Sequence, residues 1–473
     1  MSADPYDLIV LGAGSAARAG ARKASQEHDA KVALIESTRW GGSCPNVACK
    51  PTKAYLVVAE LVHDVNRLAH VVGIDVGPAR ADLARVKARK DALKKPQEEW
   101  VKQLREQGFD TYGGEAELVA SDTVLVDDEE LAAERILIAT GSRTAIPPIE
   151  GIDDIDWIDH VSALELTELP ESLLVVGGGP VGLELGQAFS RFGSQVTVVH
   201  SRDHLAPRTD QQAADELAGA LQDEGIELVM SSRVQRVEKR AEDVAATIVP
   251  KEGEGSREVR VTHVLLASGR VPNVEALNVG RIGIERHQAG IVVDEHLRTS
   301  VEGIWAAGDV TGLAQLTPIA QYQARLAVDD MFTGDAPAAD YSVLPTSIFT
   351  DLEVAGVGLT EEQALAEGLD FETSEHDSVQ RAAFIEANHI LYKLVFERES
   401  RRVRGIHVVA RNAGDIVQGF SLAMKLGVTV EDIAQMHHVY PTFGEGLKAA
   451  AEKVRPIPLT VTKQVRCQAP DLF

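Results

Sequence analysis

The sequence predicts an α/β fold, with two Rossmann-like dinucleotide-binding domains followed by a C-terminal α+β domain. Three observations carry the prediction. A strand–Gly turn–helix–strand unit occurs twice, at 7–37 and 172–201. Each copy leads on to an apolar strand that ends at a small-residue turn. From about residue 340 the glycine fingerprint gives way to short strands and helices. The 473 residues are enough for several well-buried cores, and 44% apolar with 25% charged residues is ordinary for a soluble globular enzyme. A net charge of -25 argues against a nucleic-acid or anionic-membrane partner. The basic run "RVKARKDALKK" (85–95) reads as a solvated helix face.

The first unit reads "DLIVLGAGSAARAGARKASQEHDAKVALIES". Gly12 and Gly14 allow the tight turn and the close approach of a pyrophosphate to a helix N-terminus. Ala17 fills the third glycine position, and Glu36, ending the second strand, is placed to accept hydrogen bonds from a ribose 2′-hydroxyl. The second unit, "SLLVVGGGPVGLELGQAFSRFGSQVTVVHS", completes the pattern with Gly177, Gly179 and Gly182. Where Glu36 stood it has His200, then Ser201 and Arg202. An acid there would repel a 2′-phosphate, whereas these three can bond one, so NADPH is expected in preference to NADH.

The exits are "ILIATGSRTAIP" (136–147) and "VLLASGRVPN" (264–273). A third such turn, "GIWAAGDV" (303–310), places Asp309 after a strand with Gly308 beside it, where the chain is expected to return to the first domain. Further on, "ILYKLVFE" and "RGIHVVA" read as strands and "AGDIVQGFSLAMKLG" as a helix; the last stretch, from 455, reads as an extended tail. No run reaches the roughly eighteen apolar residues of a membrane span. The first apolar run has no basic residue ahead of it, so no signal peptide is expected and the compartment is read as the cytoplasm.

Two of the three cysteines stand in "GGSCPNVACKPTK" (41–53). The spacing of Cys44 and Cys49 does not match a zinc CxxC, and no second Cys pair or nearby His completes a metal site. Heading a helix after a Gly turn, the two can lie close enough for a disulfide. The helix N-terminus, with Lys50 and Lys53, would lower a thiol pKa there.

Taken together, the first Gly turn with Glu36, "GGSCPNVACKPTK", the second Gly turn with Glu184, "AAGDV" and "YPTFGE" resemble the flavin-dependent pyridine nucleotide–disulfide oxidoreductases. The resemblance runs from residue 6 to about 452. It implies an FAD domain over 1–155 that resumes at 275–338, an NAD(P)H domain over 156–274, a dimerisation domain over 339–455 and a tail over 456–473. It further implies a homodimer whose active site is shared between subunits. Carried over by position, Cys49 lies against the flavin as the charge-transfer thiolate and Cys44 is the interchange thiol. Lys53 sits near flavin N5 paired with Glu184, and Asp309 binds the ribityl chain. Gly42, Ser43, Thr140, Gly141, Gly308 and Thr317 join the FAD site, and Gly269 the NADPH site.

The family's disulfide reductases end in a motif like H-x-H-P-T-x-x-E, whose second His is the acid–base group. This chain reads "HVYPTFGE": His438, then Tyr440 in place of that His, then Glu445. A phenol with a pKa of about 10 is a poor base at neutral pH. A soft metal ion held by two thiolates needs no proton delivered to a leaving thiol. The mercuric reductase branch is similar to this chain here, with Tyr in the same place, so a substrate metal is expected at Cys44, Cys49 and Tyr440. That branch ends in an adjacent Cys pair, whereas this tail has the single Cys467. The expected function is therefore NADPH-dependent reduction of a thiol-reactive acceptor. The alternatives are a disulfide reductase of the dihydrolipoamide or glutathione type and a slow flavin-containing redox sensor or binding protein.

Overall fold

The computed structural model describes residues 5–454, which belong to two compact units. The first comprises 5–207, Ala218–Tyr341 and Ile348–Thr350. At its centre is a parallel sheet with strands in the order Ile304–Ala306, Ile136–Ile138, Leu8–Leu11, Val32–Glu36, Asp110–Gly113. Four of its strands are nearly continuous apolar runs, as a sheet covered on both faces requires, while the edge strand Asp110–Gly113 is polar and half-exposed. The helix Ser15–His28 buries Ala16, Ala17, Ala19, Gly20, Ala21 and Ala24. These small side chains let it approach Leu137 and Ala320, Ala324 and Ala327 of the helix Thr317–Thr333 in one core.

A second parallel sheet runs Glu227–Val229, Gln195–Val199, Ser172–Val176, His263–Leu266. The helix Pro180–Phe192 follows its Gly turn, with Gly179 as N-cap and Pro180 at the first helical position, where its missing N–H is not needed. A β-carbon on Gly182 would stand 2.2 Å from the Gly177 carbonyl oxygen. The two sheets exit through antiparallel strands, Ser142–Thr144 against Arg270–Pro272. Beside that ladder Asn273 Nδ2 donates to the Thr140 carbonyl at 3.0 Å and Thr140 Oγ1 donates to the Asn273 carbonyl at 2.7 Å.

The reading of 85–95 as a solvated helix face holds for Arg85 and Arg89, which are exposed, and is corrected at Lys90. The helix Leu83–Ala92 turns Leu83, Val86 and Lys90 inward, and the Lys90 side chain is 0% exposed. Its ammonium donates to the Leu164 carbonyl at 2.9 Å and to Glu165 at 2.5 Å, with Asp91 2.9 Å away. Burial works against ionisation of Glu165, but Lys90, Lys87 and Lys94 outweigh it and hold the carboxyl at about 2. The Leu164 carbonyl also accepts from the Tyr55 hydroxyl at 3.0 Å, on the helix Cys49–His63.

The second unit comprises Arg208–Leu217, Ser342–Ser347 and 351–454. Its antiparallel sheet sets Glu353–Gly358, Val403–Ala410, Leu391–Glu397 and Phe371–His376 side by side. The helix Ala413–Lys425 belongs to this unit, as does Glu445–Glu452, where Ser374 Oγ donates to the Ala450 carbonyl at 2.7 Å. Lys393, buried in this sheet, lies 3.1 Å from Asp210 and 2.6 Å from Glu361. The α/β class with a C-terminal α+β unit agrees with the sequence reading. No described helix is long and apolar enough to cross a membrane.

Substituting Gly182→Ala forces the Pro180–Phe192 helix off its strand. We expect a loss of about 1–3 kcal/mol, the usual penalty of overpacking, read as a lower thermal midpoint.

Candidate functional site

Cys44 lies in the short helix Ser43–Asn46, and Cys49 is the first residue of Cys49–His63. Thr317, opening the helix Thr317–Thr333, places its Oγ1 3.9 Å from Cys49 Sγ. Two helix N-termini, with their partial positive charge, therefore meet at the thiol pair. Both cysteines are free thiols, Cys44 partly exposed and Cys49 exposed. A hydrogen bond from Cys49 lowers the Cys44 thiol to about 6; burial opposes this, while Thr317, Lys50 and Arg18 favour it. Donating that proton pushes the Cys49 thiol up. The dithiol ionises readily once, the thiol left protonated donating to the thiolate beside it. The expectation of a Cys49 thiolate depends on a flavin beside it.

Lys53 lies one turn beyond Cys49 on the same helix. Its ammonium is 2.7 Å from Glu184 Oε2 on the helix after the second Gly turn, and 4.2 Å from the Phe349 ring centroid. Glu184 Oε1 accepts the Phe349 N–H at 3.1 Å. Phe349 was not singled out in the sequence, because "SIFTD" carries no motif that marks it.

The first nucleotide turn fits an adenine dinucleotide. The helix Ser15–His28 has Gly14 as N-cap with no side-chain cap and no acid in its first turn, which leaves its N–H groups to a phosphate. A β-carbon on Gly42 would lie 2.4 Å from Gly14 Cα, so the loop leading to Ser43 and Cys44 touches the turn itself. Glu36 Oε2 accepts the Ala13 N–H at 2.9 Å, and Oε1 accepts the N–H groups of Thr38 and Arg39 at 2.8 and 2.9 Å. Ala17 is fully buried and Gly12 and Gly141 have positive φ. The Gly308 N–H donates to Gln323 at 2.8 Å, and the Asp309 carboxylate accepts the Ser142 hydroxyl at 2.7 Å.

In the second turn His200 does for Gly178 what Glu36 does for Ala13. Its Nδ1 accepts the Gly178 N–H at 3.1 Å, while Nε2 is buried without a partner. Burial pushes the ring pKa down, so His200 offers a neutral N–H rather than a cation. Positive charge at this corner has to come from Arg202, which is exposed beside exposed Ser201. Gly269 has positive φ in the exit that follows.

Tyr440 and Glu445 belong to the second unit. Tyr440 is 72% exposed, while Glu445 Oε2 and His438 Nε2 are buried without partners. Cys467 lies outside the described residues. The one cluster of three metal-ligand side chains among the described residues is Glu27, His28 and Asp329. The Lys23 ammonium already pairs with both of its carboxylates, 2.6 Å from Glu27 and 2.9 Å from Asp329.

The thiol geometry fixes a pH profile. In the reduced protein, alkylation of Cys44 should rise through a midpoint near pH 6, well below the about 8.5 of a free cysteine. Thr317→Val should move the midpoint up, and Cys44→Ser should remove the low-pH phase; peptide mass spectrometry reads both.

Residues 6–324 match the pyridine nucleotide–disulphide oxidoreductase family, and residues 344–451 match its dimerisation domain. Mercuric reductase of Lysinibacillus sphaericus is 37% identical over 454 residues, 95% of this chain and 82% of that protein. Mitochondrial dihydrolipoyl dehydrogenase of Pisum sativum is 30% identical over 457 residues, 95% of this chain and 91% of that protein. Among solved structures, the HOCl-induced flavoprotein disulfide reductase RclA from Escherichia coli is similar with a TM-score of 0.84 at 27% identity, covering 95% of this chain and 100% of that one. The same protein is also solved as a Cu(II) complex. With two nucleotide turns, a paired thiol centre between helix N-termini and both family domains matched, this chain belongs to the pyridine nucleotide–disulphide oxidoreductases, and is an FAD-dependent NAD(P)H oxidoreductase.

Proposed function

We propose that the protein uses NADPH to reduce a soft, thiol-binding metal ion such as Hg(II) at Cys44 and Cys49. The observation that carries this reading is the pairing of a readily ionised dithiol with Tyr440 at the position of the family's acid–base histidine. Metal reduction needs two thiolates as ligands and no proton for a leaving thiol. The mercuric reductase relatives and the Cu(II) complex of RclA support it.

FAD, when bound, supplies two-electron chemistry between the nicotinamide and the cysteine pair. The chain's own residues prepare that transfer. Gly12, Gly14 and Glu36 hold the first dinucleotide; Gly177, Gly179, Gly182 and Arg202 hold the second, with Arg202 carrying the preference for a 2′-phosphate. The Lys53 ammonium, held by Glu184, places positive charge beside the pair. In a homodimer, Tyr440 and Glu445 complete the site of the other copy. In the balance, NADPH becomes NADP⁺ with release of one proton, and a divalent metal ion gains two electrons. The domain ranges given by the resemblance and a cytoplasmic setting belong to the same proposal.

The runner-up is a disulfide reductase, which the dihydrolipoyl dehydrogenase relatives favour. NADPH consumption by the purified flavoprotein decides. We expect turnover with mercuric ion in excess thiol and little with lipoamide or glutathione disulfide. The reverse result would overturn the metal reading. In the metal reading Tyr440→His lowers metal turnover; a gain in disulfide turnover instead would mark the missing imidazole as the obstacle. Arg202→Ala should weaken NADPH about tenfold or more, the scale of a charge-assisted hydrogen bond, and leave NADH nearly unchanged. Equal losses in equilibrium binding would sink the NADPH assignment.

A further inference from the structure

The Asp309 carboxylate is held by a hydrogen-bond chain with a fixed direction. Its Oδ2 accepts the hydroxyl proton of Ser142 at 2.7 Å. That hydroxyl has one proton to give, and Ser142 Oγ in turn accepts from Arg270 Nε at 2.8 Å. Arg270 Nη2 donates to the Ser142 carbonyl at 2.6 Å, which grips the residue from both sides. An arginine can only donate, so the order runs from Arg270 to Ser142 to Asp309. Arg270 Nε is 3.8 Å from Asp309 Oδ2, and the two side chains are 19% and 26% exposed. The guanidinium therefore also balances the carboxylate charge where water does so poorly. Asp309 Oδ1 has no partner among the described residues.

The three residues come from three places in the chain. Asp309 follows the strand Ile304–Ala306 of the first sheet. Ser142 opens the exit of that sheet, and Arg270 opens the exit strand of the second sheet, paired antiparallel to the first. We infer that Arg270 is a positioning residue for the FAD site: through Ser142 it fixes Asp309 so that Oδ1 stays available to a cofactor hydroxyl. It does so from the strand that leaves the second nucleotide sheet. The inference rests on the reading of Asp309 as a ligand of the FAD polyol.

The test measures release of FAD from the purified holoenzyme after dilution, followed by the rise of free-flavin fluorescence. Ser142→Ala and Arg270→Met should each speed release about tenfold, the value of a charge-assisted hydrogen bond. Because the two act in series, the double variant should be no faster than the faster single one. Arg270→Lys should recover part of the loss. General loosening of the fold would give losses that add and no recovery by lysine, and that result overturns the inference. So does release at the unmodified rate from both single variants.

Asp309→Asn separates the two layers of the argument. If it speeds release while the Ser142 and Arg270 variants do not, the relay is wrong and the reading of Asp309 stands. If Asp309→Asn leaves release unchanged, the reading of Asp309 fails and the relay falls with it. Should Arg270→Met not fold, Ser142→Ala and Arg270→Lys carry the same decision, since the first removes the relay and the second keeps the charge.

Discussion

The ion pair between Lys53 and Glu184 is the constraint on which the placement of the redox centre depends. The Glu184 side chain is 7% exposed, and a carboxylate taken out of water needs partners for its oxygens. It has them in the Lys53 ammonium and the Phe349 N–H. Lys53 stands four residues after Cys49, so both lie on one face of the same helix. Fixing the ammonium fixes the face that presents the thiol. The anchor is a helix that begins at the second nucleotide turn, so one charge pair ties the cysteine helix to the scaffold of the second site.

Around this anchor the local electrostatics run against the protein's overall charge. The chain carries -25, yet the thiol pair is surrounded by Lys50, Lys53 and Arg18 and by two helix N-termini. A thiolate is stabilised by such surroundings, and a hydrogen bond from its neighbour stabilises it further. The same logic of an acceptor held by fixed donors recurs at each turn. Glu36 takes the Ala13 N–H, His200 takes the Gly178 N–H and Asp309 takes the Ser142 hydroxyl. At His200 that bond has a chemical consequence, because a ring nitrogen that accepts from a backbone N–H cannot also carry a proton.

The candidate site was legible in the sequence to the extent that its residues sit inside local motifs. Gly12, Gly14 and Glu36 belong to one strand–turn–helix–strand unit that spacing marks out, whereas Cys44, Cys49 and Lys53, in one loop and helix start, owe their roles to the family resemblance of that motif. Residues that act through long-range contact were not legible. Phe349 bonds Glu184 across 165 positions, and Arg270 reaches Ser142 across 128. Lys90 looked like a solvated charge because Glu165, which neutralises it, is 75 positions away.

By itself the sequence determined the fold class and the two nucleotide turns. These follow from glycine placement and the apolar period within some thirty residues, where backbone sterics act locally. It also determined that the pair of cysteines heads a helix, and through the family resemblance it placed Tyr440 at the position of the acid–base histidine. Only the tertiary structure decided which partners these groups meet: the proton shared between Cys44 and Cys49, the neutral state of His200, and the order of donors from Arg270 to Asp309. Ionisation and hydrogen-bond direction depend on burial and on neighbours within about 4 Å. A linear chain does not encode those neighbours until its sheets have brought distant residues together.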